Sequence, residues 1–156
     1  MKSPDLNVLV AAFRANHPHH RSARRWLVET LRSGEPLGVS AYVATGVIRL
    51  LTHPRMWPDG AESTEKALGH IDALLRNRAV TVISPGPRHW DIFAALCRDL
   101  KARGPFGSDV AHAAVAMEHG ATWVTFDRDF ASVPGLRWET PSIGGVDPGL
   151  GVGAPT

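Results

Sequence analysis

The sequence predicts an α/β fold: a three-layer α/β/α sandwich with a central, mostly parallel sheet of about five short strands. Short apolar segments alternate with longer segments that have helical spacing, a pattern typical of parallel strands joined by helices. The length of 156 residues suits a single domain. Hydrophobic residues make up 44% and charged residues 21% of the chain, which are globular values.

The first half of the chain alternates in this way between strand and helix. In chain order, the predicted elements are a short strand over 1–4, an apolar helix over 6–13, a helix over 20–31, a buried strand over 37–39 and a helix over 41–52. Ser40 precedes the last of these helices and can cap it.

The second half continues the alternation. The predicted elements are a helix over 64–75, a strand over 79–83, a helix around 90–96, a helix over 108–118, a strand over 122–126 and a last strand over 135–138. The helix over 108–118 has the clearest signals, with Ser108 as N-cap, Asp109 at the positive end of its dipole and Gly120 just beyond its end. Glycine and proline are abundant after residue 141, so we predict a domain over residues 1–141 and a disordered tail over residues 142–156.

The composition argues against several classes of protein. No apolar run reaches the roughly 18 residues that suggest a membrane span, and the N-terminal sequence MKSPDLNVLVAAFR lacks the features of a secretory signal. One cysteine, Cys97, rules out a disulfide framework or a cysteine zinc site. We therefore expect a cytoplasmic protein that has no contact with membranes.

The charge balance is mild. The formal net charge of +2 does not by itself indicate nucleic-acid binding. Arginine accounts for 14 of the 17 basic residues, and arginine binds phosphate through two parallel hydrogen bonds. The abundance of alanine, glycine and proline beside it is equally typical of a chain from a GC-rich genome.

Acidic residues follow the predicted strands at the edge where parallel α/β sheets bind ligands, which is the carboxyl end of the strands. Asp5 follows the first strand, Asp127 directly follows the strand over 122–126, and Asp129 is two residues further on. Asp109 opens the helix that leads into that same strand. If the first and fourth strands are neighbours, these carboxylates converge on one cleft.

Such a cleft would need a cation. Two carboxylates about 4 Å apart repel by roughly 4 kcal/mol at an effective dielectric of 20, and Arg128 is the one adjacent basic residue. Oxygen ligands suit Mg²⁺ or Mn²⁺, which can activate water for attack on a phosphodiester. Plainer roles remain open: Asp5 as an N-cap, Asp109 as a helix-start residue and Asp129 as a turn residue. A phospho-acceptor receiver domain or a different phosphotransferase also fits this spacing.

Four segments of the chain resemble a known family, and they cover about residues 4–141. They are PDLNVLVAAFR, IRLLTHPR, SDVAHAAVAMEHGATWVTFDRDF and PGLRWETP. They resemble, in order, the motifs of the PIN-domain ribonucleases, specifically the VapC-like toxins of bacterial type II toxin–antitoxin pairs. The resemblance implies a PIN-like fold and a Mg²⁺- or Mn²⁺-dependent endoribonuclease that cleaves a structured RNA, such as tRNA or rRNA, with metal-activated water.

The resemblance also implies roles for individual residues. Asp5, Asp109 and Asp127 would be the catalytic residues that hold the metal, and Asp129 would be an outer or second-metal ligand. Asn7 and Thr125 would position these carboxylates or a metal-bound water. The implied partners are the RNA substrate, a second copy in a homodimer, and a VapB-like antitoxin that inserts a basic residue into the acidic cleft.

One departure from the family pattern motivates an alternative. Many PIN nucleases carry a glutamate on the second helix, yet residues 36–58 contain no acid, and the matching position lies near Gly46. The alternative is an attenuated PIN-fold module that binds RNA or antitoxin without turnover. A receiver domain fits less well, because the middle strand is followed by Ser84 and Pro85 and no lysine follows Lys101.

For several basic and aromatic residues, the sequence leaves both an RNA-binding role and a structural role open. Arg49 could bind phosphate or pair with Asp109 or Asp127. Four arginines could flank an RNA path or form a solvated helix face; they are Arg14, Arg21, Arg24 and Arg25. The pair His89-Trp90 could cap a helix or stack on RNA bases.

Overall fold

The computed structural model describes residues 1–141, which form one five-stranded sheet with helices. In chain order the strands are β1 (Lys2–Pro4), β2 (Leu37–Ser40), β3 (Val80–Ile83), β4 (Thr122–Val124) and β5 (Trp138–Glu139). All neighbouring strands pair in parallel, in the order β3-β2-β1-β4-β5. The chain therefore moves outward from β1 to β3 and then returns to the other side of β1, so the strand order reverses between β1 and β4.

Six helices connect the first four strands. They are α1 (Leu6–Phe13), α2 (His20–Ser33), α3 (Ala41–Leu51), α4 (Thr64–Leu75), α5 (His89–Leu100) and α6 (Phe106–Glu118). Helix α1 packs against α2 and α3, α3 packs against α4, and α5 packs against α6. Because parallel crossovers are right-handed, the two outward steps place α1–α4 on one face, and the return step places α5 and α6 on the other. The predicted α/β/α fold class is confirmed.

The core lies on both sides of the sheet. Helix α1 is apolar around its circumference, and its five consecutive residues Val8–Ala12 are all buried, as expected for a helix enclosed on every side. On the opposite face, Ala113, Ala114 and Ala116 of α6 are buried, and their small side chains let the helix approach the sheet closely. None of the helices in residues 1–141 has the length and apolar character of a membrane span.

Several predicted boundaries differ from the structure. Helix α6 begins at Phe106 rather than at Ser108, because Pro105 already has helical dihedral angles of −57° and −28°. Ser108 is therefore not the N-cap, whereas Gly120 does adopt the left-handed conformation beyond the helix end, with φ 61°. Strand β4 ends at Val124, two residues early, because its neighbour β1 ends opposite that residue. The predicted tail over residues 142–156 lies outside the described residues.

Arg14, considered above as an RNA contact, is a structural residue. Its side chain is only 4% exposed and pairs with Asp59. The guanidinium also donates to the Gly60 carbonyl over 3.3 Å and lies 4.2 Å from the centre of the Trp57 ring. These contacts fasten the loop after α3 to the end of α1, so Arg14 has no surface with which to meet RNA.

Arg14→Ala should lower the free energy of unfolding by about 1–3 kcal/mol, because it removes a desolvated cation–π contact and the packing of the arginine stem. Urea denaturation measures this change. The matched control is Arg21→Ala on α2, whose side chain is exposed and forms no ion pair within residues 1–141; it should change stability by less than about 0.5 kcal/mol. Equal stability of the two variants would contradict the structural role.

Candidate active site

The candidate site lies at the carboxyl edge of the sheet, where β1 and β4 are neighbours and the strand order reverses. Asp5 directly follows β1, and Thr125 and Asp127 follow β4. Asp109 lies in the first turn of α6, the helix that leads into β4. Parallel α/β sheets bind ligands where the strand order reverses. The fold therefore places three of the sequence-predicted acids, Asp5, Asp109 and Asp127, at the position where a ligand is expected.

Thr125 connects the acids of the two strands. Its hydroxyl is fully buried and donates to Asp5 Oδ2 over 2.6 Å. Thr125 Oγ1 also accepts hydrogen bonds from Asn7 Nδ2 and from the Asp127 backbone N–H, each over 3.0 Å. A hydroxyl has one proton and two lone pairs, so Thr125 uses its full hydrogen-bonding capacity at the site.

Asn7 completes the network from the first turn of α1. Its Nδ2 donates to Asp5 Oδ2 over 3.0 Å as well as to Thr125, and its Oδ1 accepts from the Phe126 backbone N–H over 3.3 Å. The amide nitrogen and the carbonyl oxygen of Asn7 are therefore both engaged. The start of α1 is thereby held to the segment that follows β4, and the Asp5 carboxylate has a single orientation.

Asp5 is the most buried of the acids, at 5% exposure. It occupies the N-cap position of α1, in agreement with the plainer interpretation of this residue, but its side chain makes no capping hydrogen bond. Burial raises the pKa of Asp5 from 3.8 to about 6; the hydrogen bond from Thr125 opposes this rise and the charge of Asp109 adds to it. The site therefore holds a carboxylate that retains its proton more readily than an exposed aspartate.

The other acids are coupled to one another by charge. Burial first, and then the charges of Asp127 and Asp129, raise the pKa of Asp109. The Asp127 Oδ1 accepts from the Asp129 backbone N–H over 2.9 Å, which orients Asp127 at the start of the turn over 128–132. None of the four acids forms an ion pair within residues 1–141, so their negative charge is uncompensated.

The acids share an edge without forming a compact metal cluster. Across residues 1–141, no three His, Cys, Asp or Glu side chains come together closely enough to hold one ion. This arrangement is looser than the convergence on one cleft that the sequence predicted. The donor set itself, carboxylate oxygens with uncompensated charge, fits a hard divalent cation such as Mg²⁺ or Mn²⁺.

Gly46 lies on α3, near the position at which the family pattern has a glutamate. It is buried in α3, and a Cβ at this position would lie 3.2 Å from Cδ2 of Leu6, the residue that follows Asp5. The glycine therefore lets α3 pack tightly against the start of α1, beside the site. A larger side chain here would have to displace Leu6.

The arginines that the sequence suggested as phosphate or RNA contacts differ in their ion pairing. Arg49 is exposed on α3 and pairs with neither Asp109 nor Asp127 in the described part of the chain, so the ion-pair interpretation is wrong. Arg21 and Arg24 are exposed on α2. Arg25 is also exposed but is bound to Glu29 over 2.7 Å.

Two residues next to the site were not identified from the sequence. The His19 ring stacks on the Phe126 ring with 4.5 Å between centroids, and Phe126 lies between Thr125 and Asp127. The loop before α2 therefore reaches the edge that carries the acids. A contact between residues so distant along the chain has no local sequence signal.

Comparison with known proteins is consistent with this geometry. The chain matches the family model of the PIN domain over residues 4–136. It is 39% identical over 140 residues to ribonuclease VapC43 of Mycobacterium tuberculosis, which covers 90% of this chain and 95% of that protein.

Two solved structures show a similar fold. VapBC2 from Rickettsia felis, bound to a DNA fragment from their promoter, has a TM-score of 0.68 at 19% identity and covers 89% of this chain and 97% of that chain. A toxin–antitoxin complex from Klebsiella pneumoniae has a TM-score of 0.60 at 19% identity and covers 91% of this chain and 98% of that chain. The family match over most of the chain and the 39% identity to VapC43 show that this protein belongs to the PIN-domain family, within the VapC ribonucleases.

Proposed function

We propose that this protein is the toxin of a type II toxin–antitoxin module and acts as a metal-dependent endoribonuclease on a structured RNA such as tRNA or rRNA. The observation that supports this most directly is the buried Asp5 carboxylate, which Thr125 and Asn7 orient at the strand crossing and which feels the charge of Asp109. An arrangement that concentrates negative charge without a basic partner is suited to a divalent cation and, through it, to a phosphate group.

Asp5, Asp109 and Asp127 would hold the Mg²⁺ or Mn²⁺ ion, and Asp129 would act as an outer or second-metal ligand. When bound, such an ion lowers the pKa of a coordinated water and offsets charge on the phosphodiester. Thr125 and Asn7 act by positioning: they hold the Asp5 carboxylate and orient the backbone before Asp127. Because water is the nucleophile, the RNA 2′-hydroxyl is not needed for cleavage.

The same acidic edge supports the proposed partner. An arginine or lysine of a VapB-like antitoxin would compensate the carboxylates in place of a cation, through charge-assisted hydrogen bonds. One of the solved structures with a similar fold is a toxin–antitoxin complex. We further propose that the protein is a homodimer and acts in the cytoplasm.

A second candidate function is a PIN-fold module that binds RNA or antitoxin without turnover. Gly46 favours it, because α3 supplies no carboxylate beside Asp5. The two candidates differ in one outcome: both should be stabilised by Mg²⁺, but only the nuclease should produce new RNA ends.

Sequencing of 5′ RNA ends after induction should reveal new ends at one or a few structured sites for the wild-type protein. The Asp5→Asn/Asp109→Asn double variant should produce none, because it loses two of the proposed metal ligands. Asp72→Asn, which alters an exposed acid on α4, is the matched control and should cleave like the wild type. Absence of new ends with folded wild-type protein would favour the binding module.

Thr125→Val should reduce the cleavage rate by about 10- to 100-fold, in line with the loss of other groups that support metal ligands. The substitution keeps the shape but deprives the Asp5 carboxylate, Asn7 and the Asp127 N–H of a partner. Thr81→Val, at an exposed position of β3, is the control. Rates are measured on the RNA identified by end sequencing, and equal rates for the two variants would contradict the positioning role.

The pH dependence of stability follows from Asp5. Since its pKa is 3.8 when exposed and about 6 in the fold, the folded state binds more protons between these values. The contribution of Asp5 to the free energy of unfolding should therefore fall by about 3 kcal/mol as pH rises from about 4 to about 6. Urea denaturation should show a smaller fall for Asp5→Asn over this interval. An identical pH dependence in the wild type and the variant would contradict the raised pKa.

A further inference from the structure

Aromatic side chains follow β2 and β3 along the same edge that carries the acids. Tyr42 lies in the first turn of α3, where its backbone N–H donates to Ser40 Oγ, at the end of β2, over 3.2 Å. His89 and Trp90 begin α5, the helix after β3. A helix that follows a parallel strand starts at the carboxyl edge of the sheet. Along the carboxyl edge, in the strand order β3-β2-β1-β4, aromatic residues thus follow β3 and β2, and acids follow β1 and β4.

These rings form one continuous surface, which we call the aromatic ridge: Tyr42, His89, Trp90 and Phe93. The His89 ring stacks on Phe93 with 6.1 Å between centroids, and Trp90 lies 5.8 Å from Phe93. The Tyr42 ring contacts His89 edge-on at 6.4 Å. The ridge therefore connects α3 to α5 through side chains alone.

The ridge meets the acids at Tyr42. The Tyr42 ring lies 6.2 Å from that of His112, nearly perpendicular to it. His112 is three residues after Asp109 on α6, a spacing that puts the two side chains on the same helix face. The aromatic surface therefore reaches the helix that carries Asp109.

Two rings of the ridge are exposed. Trp90 is 70% and Tyr42 45% exposed to solvent, although tryptophan is on average highly buried in folded proteins. The core does not account for these rings, because neither belongs to the buried cluster or packs against it. Their flat faces can accept another planar group.

Positive charge accompanies the ridge. Arg88 directly precedes His89, and Arg49 lies seven residues after Tyr42 on α3, two turns along the same helix face. Both arginines are exposed and neither forms an ion pair within residues 1–141. The Arg88 guanidinium donates to the Glu118 backbone carbonyl over 3.5 Å, and the Arg88 backbone N–H donates to Glu118 Oε1 over 2.8 Å. The combination of ring faces and guanidinium groups is complementary to an RNA strand, which has bases and phosphates in alternation.

We propose that the aromatic ridge binds unpaired bases of RNA next to the phosphodiester bond at the acids. The inference rests on the proposed function, because it assigns to the ridge the nucleotides that flank the cleaved bond. Stacking accepts any base, since every base has a π-face. Bases inside a duplex are already stacked on each other, so the ridge selects a single-stranded or looped segment.

Binding of a fluorescent 12-nucleotide oligouridylate tests the ridge, with Asp109→Asn as the non-cleaving background. Trp90→Ala and Tyr42→Ala should each weaken binding by about 5- to 150-fold, the range found for loss of one base–aromatic stack. Trp90→Phe keeps a ring and should retain most of the affinity. Leu68→Ala, at a residue of α4 with 41% exposure, is the matched control and should bind like the background protein.

An abasic oligomer of the same length separates stacking from backbone contacts. The ridge variants should bind it as the background protein does, because it offers phosphates without bases. Unchanged affinity for oligouridylate, an equal loss for the abasic oligomer, or no binding by the background protein would each overturn the proposal. So would conversion of a dimer to a monomer by Trp90→Ala in light scattering, since a second copy would then cover the ridge.

The outcomes also separate the ridge from the proposed nuclease function. If the wild type yields no new RNA ends but the ridge variants lose base-dependent binding, the nuclease proposal fails and the ridge stands. If the wild type cleaves RNA and the ridge variants bind oligouridylate and cleave as it does, the ridge alone fails.

Discussion

A single buried hydroxyl, Thr125 Oγ1, connects the two central strands at the point where their order reverses. It donates to Asp5 after β1, accepts from Asn7 at the start of α1, and accepts from the backbone N–H of Asp127 after β4. Strand pairing alone brings these segments side by side, but it does not orient side chains beyond the strand ends. The hydroxyl does so, and the geometry of the acids depends on it.

The network works against an electrostatic cost. Burial and the charge of Asp109 both disfavour an ionised Asp5, while the Thr125 hydrogen bond favours it. The ionised form of Asp109 is likewise disfavoured, by burial and by the charges of Asp127 and Asp129. Near neutral pH the fold thus keeps charges together that would be more stable apart, a conflict between stability and local arrangement that is typical of functional sites.

Buried charge is compensated by nearby groups elsewhere in the molecule. Arg14, which is as buried as Asp5, has an acid, a carbonyl and an aromatic face around it. Such compensation is the usual condition for burying a charge. The contrast identifies the carboxyl edge as the part of the fold in which uncompensated charge is retained, and the exposed rings of Tyr42 and Trp90 extend that edge over β2 and β3.

Much of the fold and part of the site followed from local patterns. The apolar periodicity of the helices predicted their order, Ser40 is an N-cap as expected, and the acids at strand ends indicated the functional edge. These features depend on residues that are close in sequence, so single-sequence reasoning can find them. The start of α6 was misplaced because Pro105, whose ring favours helical φ, outweighed the capping signal at Ser108.

Long-range contacts were beyond such reasoning. The sequence by itself determined an α/β chain with acids after the first and fourth strands, because periodicity and capping are local. Only the tertiary structure decided that β1 and β4 are neighbours, that Arg14 is a buried support, and that Tyr42 and Trp90 continue the acidic edge. The physical reason is that burial, charge coupling and ring contacts depend on distances between residues far apart along the chain, which only the packing of helices on the sheet establishes.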